Sequence, residues 1–329
     1  MELDCNTANC MTRWLVQRGI LTSPFVLVDV GVQGGISPRW STLQDHLIVY
    51  GFDLLEESIA PLVDPQDKRK HFFAMGVADY DGEAEIVVPS NRYETQLSSS
   101  GSGERRRVQI QRLDTLFDQK RIQTADFIKL DCEGYEPVVL RGAKAYLFAS
   151  NLIGADVESN FNISSIIPNT HLSETTDPLV RQRLLVFDIE FNRVAVVPSL
   201  LGQSVHRPAT LNVLFARNLG QETDSPTSYV YRPPEQAADP QTVLKSAIVF
   251  EAYGMLDWAC NVLKKFSNEI GATVDVDEAI AKLTSPPNLR NFAMPGATSG
   301  PMPNLRSIPG RELARELGQR VWRRLGFQI

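Results

Sequence analysis

From Phe25 onward the chain alternates short apolar runs with stretches of helical spacing. FVLVDV (25–30), LIVYGF (47–52) and HFFAMGV (71–77) are apolar almost throughout, which is the pattern of strands covered on both faces in a parallel sheet. Helices are expected near 38–45 and 56–62 between them. DGEAEIVV (81–88) reads as a turn followed by an added strand, and RVQIQRLDTLFD (107–118) as a strand and a short helix. ADFIKLDCEG (125–134) predicts a buried strand ending in acids and a glycine. Pro137 then marks the first turn of a helix over 136–148, where its missing N–H removes no helical bond. LIGADVES (152–159) predicts another strand and DPLVRQRLL (177–185) a helix. FNRVAVVPS (191–199) and ATLNVLFAR (209–217) form an expected antiparallel pair at the sheet edge. Such alternation defines an α/β fold.

Outside this pattern, residues 8–20 read as a short amphipathic helix, the lead-in within a segment 1–24. The α/β domain is expected over 25–220. A linker and helical extension follow over 221–284, with helices at 241–269 and 277–284. Residues 285–329 combine a Pro-rich stretch with a tail whose Leu313, Leu317, Val321 and Leu325 form a stripe amid arginines. A stripe of this kind docks on its own protein or a partner, with peripheral membrane contact as the other reading. The polar, Ser/Gly-rich stretch 91–107 is a candidate lid.

Composition narrows the class. A chain of 329 residues with 43% hydrophobic content can bury a real core. A net charge of −6 argues against a nucleic-acid surface over the whole protein. The cysteines at 5, 10, 132 and 260 are too scattered for a disulfide framework or paired zinc spacing, so a reducing, cytoplasmic setting is expected and no metal is assigned. No run approaches the ~18 apolar residues of a spanning helix, and the first residues lack a signal-peptide core. The totals leave a homo-oligomer open.

The chemistry concentrates in two stretches. VDVGVQGGIS (28–37) sets Gly31, Gly34 and Gly35 directly after a strand. The dinucleotide fingerprint wants its second glycine at position 33, where this chain has Gln33, so a nicotinamide cofactor is disfavoured. Asp29 suits an ammonium group better than a phosphate, which it would repel. Asp53, closing the second strand, is placed to accept the hydroxyls of a ribose. An acid for an amine, an acid for a ribose and a glycine turn without phosphate geometry together point to S-adenosylmethionine. Asp79, past the third strand, falls near an adenine edge or simply forms a turn.

In IKLDCEGYEPVVLRGA (128–143), Asp131 and Glu133 close the fourth core strand, where open α/β sheets bind ligands. They could position a hydroxyl, take its proton or hold a divalent ion; Glu133 would also be stabilised simply by lying near a helix N-terminus. Glu158, on the neighbouring strand, and His171, in a polar loop, are further candidates for the base.

These stretches, with VYGFD and RLDTLF, resemble the FkbM-type methyltransferases, above all through DFIKLDCEGYEPVVLRGA (126–143). The resemblance covers about 25–217. It implies a class I Rossmann-like sheet, mostly parallel with one antiparallel edge strand, carrying a C-terminal helical extension. It also implies S-adenosylmethionine as cofactor and O-methylation of a sugar, glycan or natural-product hydroxyl, so the partner is a small-molecule or glycan acceptor. Carried over by position, Asp29, Gly31, Gly34 and Asp53 contact the cofactor, and Asp131 and Glu133 face the transferable methyl. The family's Glu-Pro step after the second strand is replaced by Asp53-Leu54. A nicotinamide-dependent oxidoreductase, a non-catalytic scaffold, and N- or C-methylation are the competing readings.

Overall fold

The computed structural model describes residues 10–88, 103–150, 152–160, 172–195, 206–219 and 238–285. Helix α1 (Cys10–Gln17) leads into strand β1 (Phe25–Val30). A 3-10 segment (Pro38–His46) and β2 (Leu47–Asp53) follow, then α2 (Glu56–Ile59) and β3 (Lys70–Ala74). Next come β4 (Gly76–Val77), β5 (Gly82–Val88), β6 (Glu104–Gln111), α3 (Leu113–Asp118) and β7 (Phe127–Leu130). The pair α4 (Glu136–Arg141) and α5 (Lys144–Ala149) precedes β8 (Gly154–Asn160), α6 (Leu172–Arg181), β9 (Leu184–Ala195) and β10 (His206–Arg217). The last helices are α7 (Pro240–Ala252), α8 (Leu256–Lys265), α9 (Ser267–Ile270) and α10 (Val276–Leu283).

Seven strands form one sheet in the order β3-β2-β1-β7-β8-β10-β9, and β4, β6 and β5 form a second, smaller sheet. The first five strands of the large sheet are parallel, and β10 runs against both of its neighbours. The fold is thus the expected α/β class I sheet. Its one reversed strand lies second from the edge, with β9 outside it. Val30 stands level with Phe52 on one side and Leu130 on the other, and Leu130 with Val157. The ends of β1, β2 and β7 therefore finish within a residue of one another, while β8 runs on to Asn160, which places a crevice over the three ends.

Strand alternation sorts the core into two layers. Val28, Val30, Phe52, Ile128 and Leu130 face a cluster with Val139, Leu140, Tyr146 and Leu147 of α4 and α5. Phe25, Leu27, Val49 and Phe127 face the other way, against Trp40, α1 and the C-terminal helices. Residues 240–283 are therefore part of the core, and the first compact unit of the chain runs from Met1 to Asn291 without a division near 220. The second unit, Phe292–Ile329, lies outside the described residues, as does the expected tail helix.

Five expected elements differ: the helix at 241–269 is divided into α7, α8 and α9, the first break falling at Gly254 (φ +77°), and the other four differ each for a local reason. The run 71–77 splits because Gly76 crosses into the small sheet, where a Cβ would stand 2.5 Å from Ile110 Cδ1. The helix expected over 38–45 is a 3-10 segment with a kink at Gln44 (φ 47°). The helix over 136–148 breaks at Gly142, where a Cβ would stand 2.0 Å from the carbonyl oxygen of Ala78. The helix at 177–185 begins earlier and takes Pro178 inside it, while 184 onward is strand.

Two buried acids stitch the C-terminal helices to the sheet layer. Glu251, fully buried on α7, accepts the N–H groups of Met11 and Thr12 at 2.8 Å and the Thr12 hydroxyl at 2.7 Å, capping α1 from a distant part of the chain. Asp126 accepts the N–H of Val26 and the Lys245 ammonium, both at 2.8 Å. Glu251→Ala strands the three donors at α1 and should lower unfolding free energy by about 2–4 kcal/mol. Glu251→Gln, which keeps an acceptor oxygen, should lose less. Urea unfolding of the three proteins checks this; coincident transitions would show that the contact holds nothing.

Candidate functional site

Gly31 leaves β1 at φ +89°, and a Cβ on it would lie 1.8 Å from the carbonyl oxygen of Asp131. Only glycine lets the two strand ends cross this closely. The crossing is fixed by hydrogen bonds: Gly31 N and Val32 N donate to Phe52 O at 2.9 and 3.1 Å, and Asp131 N donates to Val30 O at 3.0 Å. Gly35 N closes the turn on Val32 O at 2.9 Å, with Gly34 and Gly35 at φ +83° and +98°. Gln33 is tied down through Ser58 Oγ at 3.0 Å.

Over this crossing lies a cavity of about 180 Å³. Val30, Phe52, Leu54, Met75 and Val77 form its apolar wall; Gly31, Gln33, Asp53, Gly76, Asp131, Cys132, Glu133 and Tyr135 complete it. Among the described residues that line it, the three charged side chains are carboxylates and none is a lysine or arginine. Asp53 is held by Leu55 N, which donates to Oδ1 at 2.9 Å, and burial raises its carboxyl above the usual range.

Beneath the cavity runs a row of charge that the sequence reading missed. Asp29, Lys129 and Asp156 stand level on β1, β7 and β8. The Lys129 ammonium lies 3.4 Å from Asp29 Oδ1 and 3.1 Å from Asp131 Oδ2. Burial lowers its proton affinity, but the Asp29 and Asp131 carboxylates outweigh that and hold it above the ordinary lysine value. Asp156 accepts the Tyr253 hydroxyl at 2.7 Å and stands 3.9 Å from Arg39 Nη1, and the Arg39 guanidinium covers the Tyr253 ring at 4.0 Å. The available signal was Lys129 and Asp156 standing inside strands that are otherwise apolar.

Of the residues singled out by sequence, Gly31, Asp53, Asp131 and Glu133 meet at one cavity. Asp29 is 1% exposed and bound to Lys129 below the turn. Gly34 and Gly35 shape the turn without lining the cavity, and Asp79 pairs with Arg141 Nε at 3.0 Å outside it. Glu158 stands two residues beyond Asp156, on the same face of β8, and is not part of the lining. His171 and residues 91–102 of the proposed lid lie outside the described residues. Among the described residues no group of three or more His, Cys, Asp or Glu could hold a metal ion, and no helix is long and apolar enough to cross a membrane.

A β3-β2-β1-β7-β8-β10-β9 sheet with its cavity over the ends of β1, β2 and β7 has the architecture of class I methyltransferases. Residues 39–173 match the family model of the methyltransferase FkbM domain. Among solved structures it is similar to methyltransferase FkbM from Methylobacillus flagellatus KT, at 16% identity over 59% of this chain and 43% of that one, with a TM-score of 0.34. The chain thus spans less than half the length of that relative. It is also similar to a 1,6-didemethyltoxoflavin-N1-methyltransferase from Burkholderia thailandensis (15% identity, 64% and 79% of the two chains, TM-score 0.30). A third likeness is to a TehB-like SAM-dependent methyltransferase from Corynebacterium glutamicum (13%, 63% and 87%, TM-score 0.29). No curated protein matches the chain.

Burial pushes the Asp29 carboxyl up from 3.8 to about 6, despite the opposing pull of Lys129. The folded state therefore holds this proton more tightly than the unfolded chain. Its contribution to stability is complete below about pH 4 and is lost as pH rises through about 6, a change of order 3 kcal/mol. Relative to Asp29→Asn, the wild-type protein should lose stability across that interval. Denaturant unfolding of both at pH 4 and pH 7 measures it; a gap independent of pH would contradict the assignment.

Proposed function

We propose that the chain is an S-adenosylmethionine-dependent O-methyltransferase acting on a hydroxyl of a sugar, glycan or natural product. The observation carrying this reading is the cavity's charge: Asp53, Asp131 and Glu133 are the charged groups among its described lining residues, and the nearby Lys129 lies outside that lining. That set suits a cationic, hydroxyl-bearing nucleoside and would repel a pyrophosphate. When bound, S-adenosylmethionine supplies a methyl group on a positively charged sulfur.

The chain's own residues do the rest. Asp53, oriented by Leu55 N, accepts ribose hydroxyls at the end of β2. The Gly31–Gly35 turn brings bare backbone to the cofactor, with Asp29 supplying negative charge below it. Asp79 remains in the proposed cofactor set as an adenine-side residue, although Arg141 holds it outside the lining. Asp131, with Glu133 and Glu158 as the neighbouring acids, positions the acceptor hydroxyl and takes its proton. Alignment supplies most of the acceleration, up to ~7–11 kcal/mol, and a base adds about 10²–10⁴-fold.

Titration calorimetry should find binding of S-adenosylmethionine and S-adenosylhomocysteine and none of reduced nicotinamide dinucleotide; the reverse result would select the oxidoreductase, and binding of none of them the scaffold. Asp53→Ala should weaken S-adenosylmethionine at least tenfold while keeping the melting temperature. Asp131→Asn should bind it within a few-fold of wild type and, on an acceptor found by screening glycan and natural-product hydroxyls, lower turnover by about 10²–10⁴-fold. Unchanged turnover would remove Asp131 from the chemistry.

A further inference from the structure

Glu136 opens α4 with its side chain 1% exposed, a placement that is costly for a carboxylate unless something holds it. What holds it is the turn just before it. Oε1 accepts the N–H of Cys132 at 2.9 Å and the N–H of Gly134 at 3.2 Å, while Oε2 is buried with no hydrogen-bond partner. The turn has an unusual shape. Glu133 has φ +56° and Gly134 φ +97°, two successive residues in the left-handed region, the first of them a residue that seldom goes there. Tyr135 N reaches back to Cys132 O at 3.3 Å, a long closing bond. Asp131, Cys132, Glu133 and Tyr135 of this same turn form one wall of the cavity.

The sequence alone would assign Glu136 to favourable charge at a helix start. Its geometry does something else: one oxygen gathers two amides that point inward from a strained turn, so the side chains of that turn are left to the cavity. We propose that Glu136 is a positioning residue for the cofactor cavity, clamping the Cys132–Gly134 backbone in the shape that sets Asp131 and Glu133 on its wall. This inference rests on the methyltransferase reading of the cavity. One acceptor oxygen does the clamping and the other makes no bond, so an amide oxygen at the same place serves equally. The shorter aspartate does not reach both amides.

The test compares wild type with Glu136→Ala, Glu136→Asp and Glu136→Gln by three measurements: S-adenosylhomocysteine affinity by calorimetry, melting temperature, and hydrogen exchange at the Cys132 and Gly134 amides. Glu136→Ala and Glu136→Asp should weaken S-adenosylhomocysteine at least tenfold and speed exchange at the two amides at least a hundredfold. Glu136→Gln should stay within threefold of wild type in affinity. A folded Ala or Asp variant that binds within twofold of wild type overturns the proposal, as does a Gln variant as impaired as Ala, since charge and not the acceptor would then be at work. If Glu136→Ala fails to fold, the Asp and Gln variants decide alone. Wild type that does not bind S-adenosylhomocysteine removes the methyltransferase reading and this inference together, whereas normal wild-type binding with an unaffected Asp variant removes only the role of Glu136.

Discussion

The contact on which the site depends is the crossing of Gly31 beneath the carbonyl of Asp131. A single added carbon would lie 1.8 Å from that oxygen, far inside any tolerated approach. Because the crossing is this close, the turn after β1 and the turn after β7 share one cavity instead of opening two separate crevices. The parallel register of β1 with β2 and β7 carries the same constraint sideways, bringing Asp53 to the same edge. Carboxylates far apart in sequence thereby become neighbours.

A sheet edge is only as well placed as the layer beneath it. Here one face is covered by α1, a 3-10 segment and helices from residues 240–283. A 3-10 segment carries a poorer hydrogen-bond ladder and a narrower apolar stripe than an α-helix, so it covers less of the sheet by itself. Helix α7 makes up the difference: it is buried over nearly its whole length, which fits a helix that is apolar on most sides. Its two charged residues explain how it stays in register, since Lys245 and Glu251 each meet a fixed partner, Asp126 and the amides that open α1. The polar pairs give direction to a contact that apolar packing alone would leave free to slide.

The pattern of the chain revealed much of this architecture and less of the site. Continuous apolar runs at 25–30, 47–52 and 125–130 are legible because a strand buried on both faces leaves no polar alternation. The glycines of the first turn and Asp53, Asp131 and Glu133 are legible because chemistry at a strand's end needs those residue types there. The breaks at Gly76 and Gly142 were not, since each arises from the approach of a different part of the chain, Ile110 in one case and Ala78 in the other. The role of residues 240–283 was hidden for the same reason. A helix built from apolar and charged residues looks like an extension until the face it covers is known, and its Lys245 and Glu251 find their partners in distant parts of the chain. Asp79 shows the converse: its turn position is plain in sequence, but its pairing with Arg141 follows only from the fold.

Lys129 explains how so acidic an edge is tolerated. Asp29 and Asp156 flank it on neighbouring strands and Asp131 stands two residues further along its own. Asp29 and Asp156 stand two strand spacings apart, about 9.6 Å, and at an effective dielectric of about 20 two like charges at that distance repel by about 1.7 kcal/mol. Without a cation the buried row would have to shed charge by taking up protons, and the rise of Asp29 to about 6 shows how near it already stands to doing so. One ammonium touching two of the carboxylates and facing the third supplies attractions larger than the repulsions it offsets. Arg39 and Tyr253 complete the arrangement from the other side by engaging Asp156. The ammonium that meets Asp131 is thus placed underneath the cavity, where it is not among the lining residues and does not compete for a cationic ligand.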